Sequence, residues 1–286
     1  MVKIPVIEQC TVSYKEDKRF LIDRLEIYLV ENDNLVFPHR HSFYQFLLFL
    51  DGSGLHEIDF KKYPVEKGQV YCMSPGQVHS WFFEDDMKGF IINFDIDYFK
   101  SLIIQQDYID SLSIFSSLTE GVFVLENNQL QELIPLFEQL IRLNENNDSI
   151  DLKRSLLLYI LLKLEQVYKP SFPVKAIDYH LVLIKNFISL LDQNYKELHL
   201  PKEYADLLFV TPNHLNSVCK EYLGNPAGEI IRNRILLEAK RLLIIADWTI
   251  TQVAYELNFN DNSYFTKFFK KQVGMTPEEF RKSQGM

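Results

Sequence analysis

The feature that most constrains this chain is an internal near-repeat in its last third, with a period close to fifty residues. Ala205 is followed by Leu208, Leu215, Cys219-Lys220 and Gly224, and Ala254 is followed by Leu257, Phe265, Phe269-Lys270 and Gly274. In both copies the lysine stands four residues before the glycine, and an apolar residue stands five before the lysine. The copies differ by one residue in the turn. Physically this is a helix, a short turn and a second helix, built twice; the small alanine lets the first helix pack closely on the second. Apolar positions of the second helices, Leu215/Val218/Tyr222 and Phe265/Phe268/Phe269, recur at three and four. A polar face is left on each, with Asn213, Asn216 and Ser217 on one and Asn262, Ser263, Thr266 and Lys267 on the other. Such helices can lie in the major groove of double-stranded DNA, with amides and hydroxyls at base edges. Between them, Ala227 to Ala246 reads as a helix that sets the units about one DNA turn, roughly 34 Å, apart.

Caps support the same division. Thr211 precedes Pro212, Thr249 precedes Ile250, Asp261 or Asn262 opens the next helix, and Thr276 precedes Pro277-Glu278-Glu279. Each is an N-cap residue, twice with proline at the first helical position. Up to about Phe94 the signals are instead those of strands: Arg24–Val30, Tyr44–Leu50, Gly54–Phe60, Gln69–Met73, Ser80–Phe83 and Gly89–Phe94. Asp51-Gly52-Ser53-Gly54 reads as a hairpin turn. Many short antiparallel strands at this spacing predict a small barrel or double-sheet jelly roll. From Gln129 the period becomes helical, with Leu130, Leu133, Ile134, Phe137, Leu140 and Ile141, a polar loop at Asn144–Asp148, and a second apolar helix over Leu152–Val167. Pro170 and Pro173 mark a boundary. The expected organisation is an all-β barrel with a helix pair over residues 1–168, a linker at 169–178, and an all-α domain of two helix-turn-helix units joined by a long helix over 179–286.

Net charge is −9, which looks wrong for a nucleic-acid binder until it is resolved by region. Residues 175–286 hold 14 basic and 13 acidic side chains, so the acidity belongs to the front of the chain, with 16 basic and 26 acidic. A near-neutral tail permits DNA binding without demanding it. Cys10, Cys72 and Cys219 are scattered and lack metal-type spacing, which points to a reducing compartment. No signal-peptide order opens the sequence. The longest apolar run, Leu156–Leu162, is too short to span a bilayer. A cytoplasmic protein without membrane contact is expected.

Residues 199–282 resemble the AraC/XylS-type DNA-binding domain. The resemblance rests on Ile230-Ile231, Arg234-Ile235, Ala239 and Leu242-Leu243, then Thr249-Ile250, Val253-Ala254, Leu257-Asn258-Phe259, Ser263-Tyr264-Phe265, Phe269-Lys270-Lys271, Gly274, Thr276-Pro277 and Phe280-Arg281. Asn258 stands where that family usually has glycine, and Cys219 where phenylalanine is common, which should loosen the first unit. Lys267 occupies a position that the resemblance assigns to a base-contacting cation, so the second unit is expected to read DNA more strongly.

In the front half, His39-Arg40-His41, Gln45, Gly68, Pro75-Gly76 and His79 resemble the cupin motif, over about Phe37 to Trp81. Two histidines two apart on a strand share a face, and a third from another strand could complete a metal site. Gln45, however, stands where a metal cupin has glutamate. The expectation is therefore no metal and no cofactor, with His39, His41, Gln45, Tyr71, His79 and Trp81 either packed in the barrel or lining a pocket for a small effector. The resemblance implies an effector-responsive transcription regulator, more often an activator. Its expected partners are promoter DNA, a small molecule of unread identity, a second copy of the chain through residues 129–168, and RNA polymerase. The same helix pair could instead simply cover the barrel. The alternative from another class is a metal-dependent cupin enzyme with a helical appendage, but no nucleophile triad, phosphate-binding glycine loop or carboxylate pair is evident.

Overall fold

The computed structural model describes residues 6–7, 19–32, 38–84, 86–103, 108–116, 119–168, 179–245 and 248–284. The chain forms two compact units that divide near residue 170. The expected linker, 169–178, lies outside the described residues, as does Phe37.

The first unit is a double-sheet β structure. Its strands are β1 (Val6–Ile7), β2 (Phe20–Arg24), β3 (His39–His41), β4 (Tyr44–Asp51), β5 (Gly54–Ile58), β6 (Lys61–Pro64), β7 (Gln69–Met73), β8 (Val78–Phe83), β9 (Lys88–Phe94) and β10 (Val122–Val124). One sheet runs β1-β3-β8-β5-β6 and the other β10-β7-β4-β9-β2. All pairings are antiparallel except β1 with β3.

Strand β4 shows why the second sheet sits where it does. Its run from Tyr44 to Phe49 is apolar on both faces but for Gln45, as a strand covered on both sides must be. Leu47 and Phe49 face the space between the sheets, with Leu21, Tyr71, Met73 and Ile91, opposite Ile58 and Trp81. Tyr44, Phe46 and Leu48 face outward with Phe20, Ile22, Val70, Phe90, Ile92 and Phe94. That outer face is covered by two helices, α2 (Asn127–Glu145) and α3 (Ile150–Val167). Phe137 of α2 lies stacked on both Phe46, with ring centroids 5.3 Å apart, and Phe90, at 5.0 Å. Around it pack Leu133, Leu140, Leu157, Ile160 and Leu164. The helix pair does cover the sheet, which is one of the two roles expected for it.

Three strand expectations are corrected. Arg24–Val30 is not a strand: β2 ends at Arg24 and Leu25–Glu31 is a helix, α1. Leu25 and Tyr28 are fully buried while Ile27 and Val30 are exposed, so this apolar run has a helical burial period that its β-favouring composition concealed. The turn at Asp51–Gly54 is no hairpin, because it carries the chain from one sheet to the other. Gly54, at φ +147, is needed there, since a Cβ would meet the Phe82 carbonyl oxygen at 2.4 Å. The strand from Gly54 stops at Ile58, and Asp59 and Phe60, both at positive φ, turn it into the unexpected strand β6. Asp59 anchors this two-residue hairpin by accepting hydrogen bonds from the Val78 amide at 3.2 Å and Gln77 Nε2 at 2.9 Å.

The second unit is all helical: α4 (Tyr179–Asn194), α5 (Pro201–Leu207), α6 (Pro212–Leu223), α7 (Ala227–Leu243), α8 (Ile250–Glu256), α9 (Asn262–Val273) and α10 (Pro277–Ser283). Among the described residues no helix is long and apolar enough to cross a membrane.

Because Phe137 fills the junction between helix pair and sheet, Phe137→Ala should destabilise the first unit by about 3–5 kcal/mol. Denaturant unfolding followed by circular dichroism checks this, with a lowered midpoint for the β unit as the expected result.

Candidate nucleic-acid interface and barrel interior

The repeat read in the sequence is a repeat of structure. Helices α5 and α8 have 7 residues each, and α6 and α9 have 12 each. Both short helices end in the same hydrogen-bonded stop. Val210 N–H donates to the Ala205 carbonyl at 3.0 Å and Phe259 N–H to the Ala254 carbonyl at 2.9 Å. Phe209 N–H and Asn258 N–H make the accompanying inner bonds, to Asp206 and Tyr255. This is a Schellman stop, which requires a left-handed residue. Phe209 and Asn258 supply it, each at φ +56. Asn258 therefore does what glycine does elsewhere in the resembled family, and Phe209 does so at a steric cost that the sequence reading passed over. The extra residue of the second copy is Asn260, placed between this stop and the next N-cap.

Each recognition helix starts on a side-chain cap. Thr211 Oγ1 accepts from His214 N–H at 3.2 Å, and Asp261 Oδ1 accepts from Ser263 N–H at 2.7 Å. Both helices stop at a left-handed glycine, Gly224 at φ +76 and Gly274 at φ +85. Leu215, Val218, Cys219 and Tyr222 bury one face of α6. Phe265 and Phe269 are buried in α9, while Phe268, expected to be buried, is only half-buried. Cys219 is fully buried, so the smaller side chain is accommodated. The opposite faces carry the predicted polar groups. Asn213, Ser217, Ser263 and Lys267 are exposed, and Asn216, Asn262 and Thr266 are half-buried. Lys220, Lys270 and Lys271 extend the exposed cationic surface toward the helix ends.

Helix α7 joins the two helix-turn-helix copies within the helical unit. It is 17 residues long and ends at Leu243, not Ala246, which gives about 25 Å of rise. Arg234 stacks on Tyr195 at 3.7 Å and pairs with Asp192 at 3.0 Å and Glu238 at 3.3 Å. Arg241 shares Glu238. At the other end, the Arg281 guanidinium of α10 donates to the Leu243 carbonyl at 2.8 Å and to that of Trp248. It thereby satisfies a carbonyl that the end of α7 would leave bare.

Between the two sheets lies a polar interior. His39 and His41 share the inward face of β3, and His79 and Trp81 that of β8, with His39 and His79 directly paired. His41 Nε2 lies 2.6 Å from His79 Nε2, and His79 Nδ1 lies 2.9 Å from His56 Nε2. The His39 ring packs 4.8 Å from His41 and 4.3 Å from His79. Tyr71 lies 4.6 Å from His56. Gln45, on the facing sheet, donates through Nε2 to Asn93 Oδ1 at 3.0 Å. His56 and Asn93 are the members that sequence reading missed; the signal for His56 was its inward register two residues before Ile58 on β5.

All six expected pocket residues are at most 4% exposed, so they line a closed interior and not an open cleft. Burial, followed by the neighbouring imidazoles, pushes His56 down to about 3 and holds His41 and His79 well below the ordinary histidine range. These three rings are neutral at neutral pH.

Both halves match known families. An AraC-like ligand binding domain matches residues 25–162 and a helix-turn-helix domain matches residues 204–283. The HTH-type transcriptional activator RhaS of Pectobacterium carotovorum is 24% identical over 257 residues, covering 86% of this chain and 88% of its own length. A transcriptional regulatory protein of Bacillus subtilis, YesN, is 33% identical over 108 residues, which is 36% of this chain and 29% of that longer protein. A solved ToxT structure from Vibrio cholerae aligns over 92% of this chain and 98% of its own, at 15% identity and a TM-score of 0.43. Duplicated recognition units behind a ligand-binding barrel define a DNA-binding transcription regulator, not a cupin enzyme. The chain is a regulator of the AraC type.

Phe209 is 95% exposed, so replacing it forfeits no packing. Phe209→Gly should relieve the left-handed strain and stabilise the helical unit by about 1 kcal/mol. A raised melting temperature of that unit checks this.

Proposed function

We propose that this chain binds a specific promoter sequence as a dimer and activates transcription with RNA polymerase, under the control of a small molecule held by the barrel. The observation that carries the reading is the pair of equally built recognition helices held by α7. Asn213, Asn216 and Ser217 of α6 and Asn262, Ser263, Thr266 and Lys267 of α9 are the base-reading candidates. Their N-terminal and middle positions are those that reach base edges when such a helix enters the major groove. Lys267 makes α9 the stronger reader, since the corresponding position of α6 is Ser217.

The near-neutral charge of the helical half supplies the reason for a dimer. Fourteen basic against thirteen acidic side chains give one copy little counterion release to drive binding, whereas two linked copies share one site. Within residues 129–168, α3 offers a surface for this. Leu152, Tyr159 and Leu162 are exposed large apolar groups on a single helix whose other face is buried on the sheet. Small-molecule control rests on the match of the barrel to a ligand-binding domain, and His39, His41, Gln45, Tyr71, His79 and Trp81 are its inward-facing polar and aromatic groups. Activation, rather than repression, follows the RhaS relatives, which are described as activators.

Gel-shift titration with DNA upstream of the chain's own and neighbouring genes tests the promoter reading. Lys267→Ala with Asn262→Ala should weaken binding by at least tenfold, each lost base contact counting about 1–3 kcal/mol, and should lower the salt slope by about one. Undiminished binding by that double variant would sink the base-reading assignment. Leu152→Glu with Tyr159→Glu should shift sedimentation toward the monomer and reduce promoter affinity by about tenfold or more. A dimer that persists in this variant moves the contact elsewhere.

A further inference from the structure

We propose that residues 195–199, the turn joining α4 to α5, clamp the turn of the second helix-turn-helix copy, and that His199 is the positioning residue for the recognition helix α9. The proposal rests on α9 as a reader of bases. Packing on α7 holds the second copy from one side, where Arg281 donates to the Leu243 carbonyl. The turn 195–199 adds a separate hold. Lys196 Nζ donates to the carboxylate of Glu256, the last residue of α8. Asn258 Nδ2 donates to the Glu197 carbonyl at 3.4 Å. The His199 ring packs on that of Phe259 with centroids 5.1 Å apart, and the Leu257 backbone lies beside it. Lys196, Glu197 and His199 of the first copy thus meet four consecutive residues of the second, Glu256 to Phe259.

The clamping turn is itself tightly held. The Glu197 and Leu198 amides both donate to the Asn194 carbonyl, at 3.0 and 2.9 Å, and the Tyr204 hydroxyl donates to the Leu198 carbonyl at 2.9 Å. Glu203 accepts from the His199 and Leu200 amides at 2.9 and 2.7 Å. Tyr195 is pinned under Arg234 of α7. His199 Nε2 donates to the Lys196 carbonyl at 3.2 Å, so the ring is oriented within its own turn before it meets Phe259. Burial lowers the His199 pKa from the ordinary histidine value, against the pull of the Lys196 carbonyl and of Glu203. A neutral ring packs on phenylalanine with no charge to desolvate. Beyond the contact, Phe259 is buried and its ring lies 5.2 Å from both Phe265 and Phe268 and 5.8 Å from Tyr264. These residues alternate along α9 with Ser263, Thr266 and Lys267, so moving Phe259 moves the base-reading face. Asn258 serves two demands at one position. Glycine would meet the left-handed stop at φ +56 at less steric cost, but only a side chain can reach Glu197. Its counterpart in the first copy, Phe209, is 95% exposed and gives that turn no such hold.

Distances between two spin labels on the full-length chain test the clamp without DNA. The labels go on Glu221→Cys in α6 and Gln272→Cys in α9, both exposed, in a Cys10→Ser background whose Cys72 and Cys219 are buried. The unaltered clamp should give a narrow distribution, which His199→Ala with Asn258→Gly should broaden about twofold or more. Asn258→Gly alone separates positioning from structure. It keeps the left-handed stop, so the melting temperature should hold or rise while the distribution broadens. Lys196→Glu should broaden it as well, and adding Glu256→Lys should narrow it again. Should the double variant unfold, Asn258→Gly and the charge swap decide. The second readout is the promoter fragment that the wild-type chain binds, compared with its single base-pair substitutions. His199→Ala should cut discrimination about five- to tenfold at the base pairs that Lys267→Ala also affects, and leave it intact at those that Asn213→Ala affects. An unchanged distribution in the folded double variant overturns the clamp, whatever the DNA result. Broadening with full discrimination overturns His199 as a positioning residue. Undiminished promoter binding by Lys267→Ala with Asn262→Ala removes α9 as the reader, while the label distances still decide the clamp.

Discussion

The sheet β10-β7-β4-β9-β2 is buried on both faces, and much of the first unit follows from meeting that demand. Its inner face is covered by the facing sheet, but its outer face presents Tyr44, Phe46, Phe90 and Phe94 to whatever lies above. Left in water, that many aromatic rings would be a large exposed apolar patch, so a helix pair rich in leucine must follow the strands in the chain. Phe137 meets the demand at the centre by stacking on two strands at once. Arg24 adds an ion pair to Glu138 at 2.6 Å, and Glu165 accepts from the Ser113 and Ile114 amides, so the helices are held at their flanks as well. A helix pair committed on one face to the sheet has only its other face to offer a partner. For that reason exposed leucine and tyrosine on α3 carry more meaning than they would on a free helix.

The helical unit solves a different problem, which is to hold two recognition helices at fixed angles with very short supports. Seven-residue helices are too short to be stable alone. Here they are capped at both ends: α8 by the reciprocal Thr249–Gln252 box at its start and a left-handed stop at its finish. Their alanines, Ala205 and Ala254, are fully buried, which allows the close crossing. The two copies reach the same backbone with different residues, and the strain falls on Phe209 in the first.

Legibility in the sequence followed the strength of the local signal. The repeat was readable because caps, glycines and apolar spacing all agreed, so α6, α9 and α10 begin on Thr211, Asp261 and Thr276 as the residue types dictate. The polar residues of the recognition helices could be named for the same reason, since helical spacing alone sorts them onto one face. Where composition and context disagreed, context won. Leu25–Glu31 has the residues of a strand and the burial of a helix, and only the neighbouring sheet decides between them. The lysine-rich strand β6 is held by a turn whose positive φ values rest on the distant Val78 and Gln77. His56 was hidden because its meaning depends on a neighbour, His79, that is 23 residues away and brought close only by strand pairing.

The closed interior of the barrel also bears on time. A ligand reaching an open cleft arrives at rates set largely by diffusion and orientation, about 10⁵–10⁷ M⁻¹s⁻¹ for protein partners. Groups that are at most 4% exposed meet a visitor only when the surrounding strands part, so opening of the protein sets an upper limit on the rate of exchange. What enters slowly also leaves slowly. An occupant of this space would be held through many encounters between recognition helices and DNA, and the regulator would respond to sustained supply while passing over brief fluctuations.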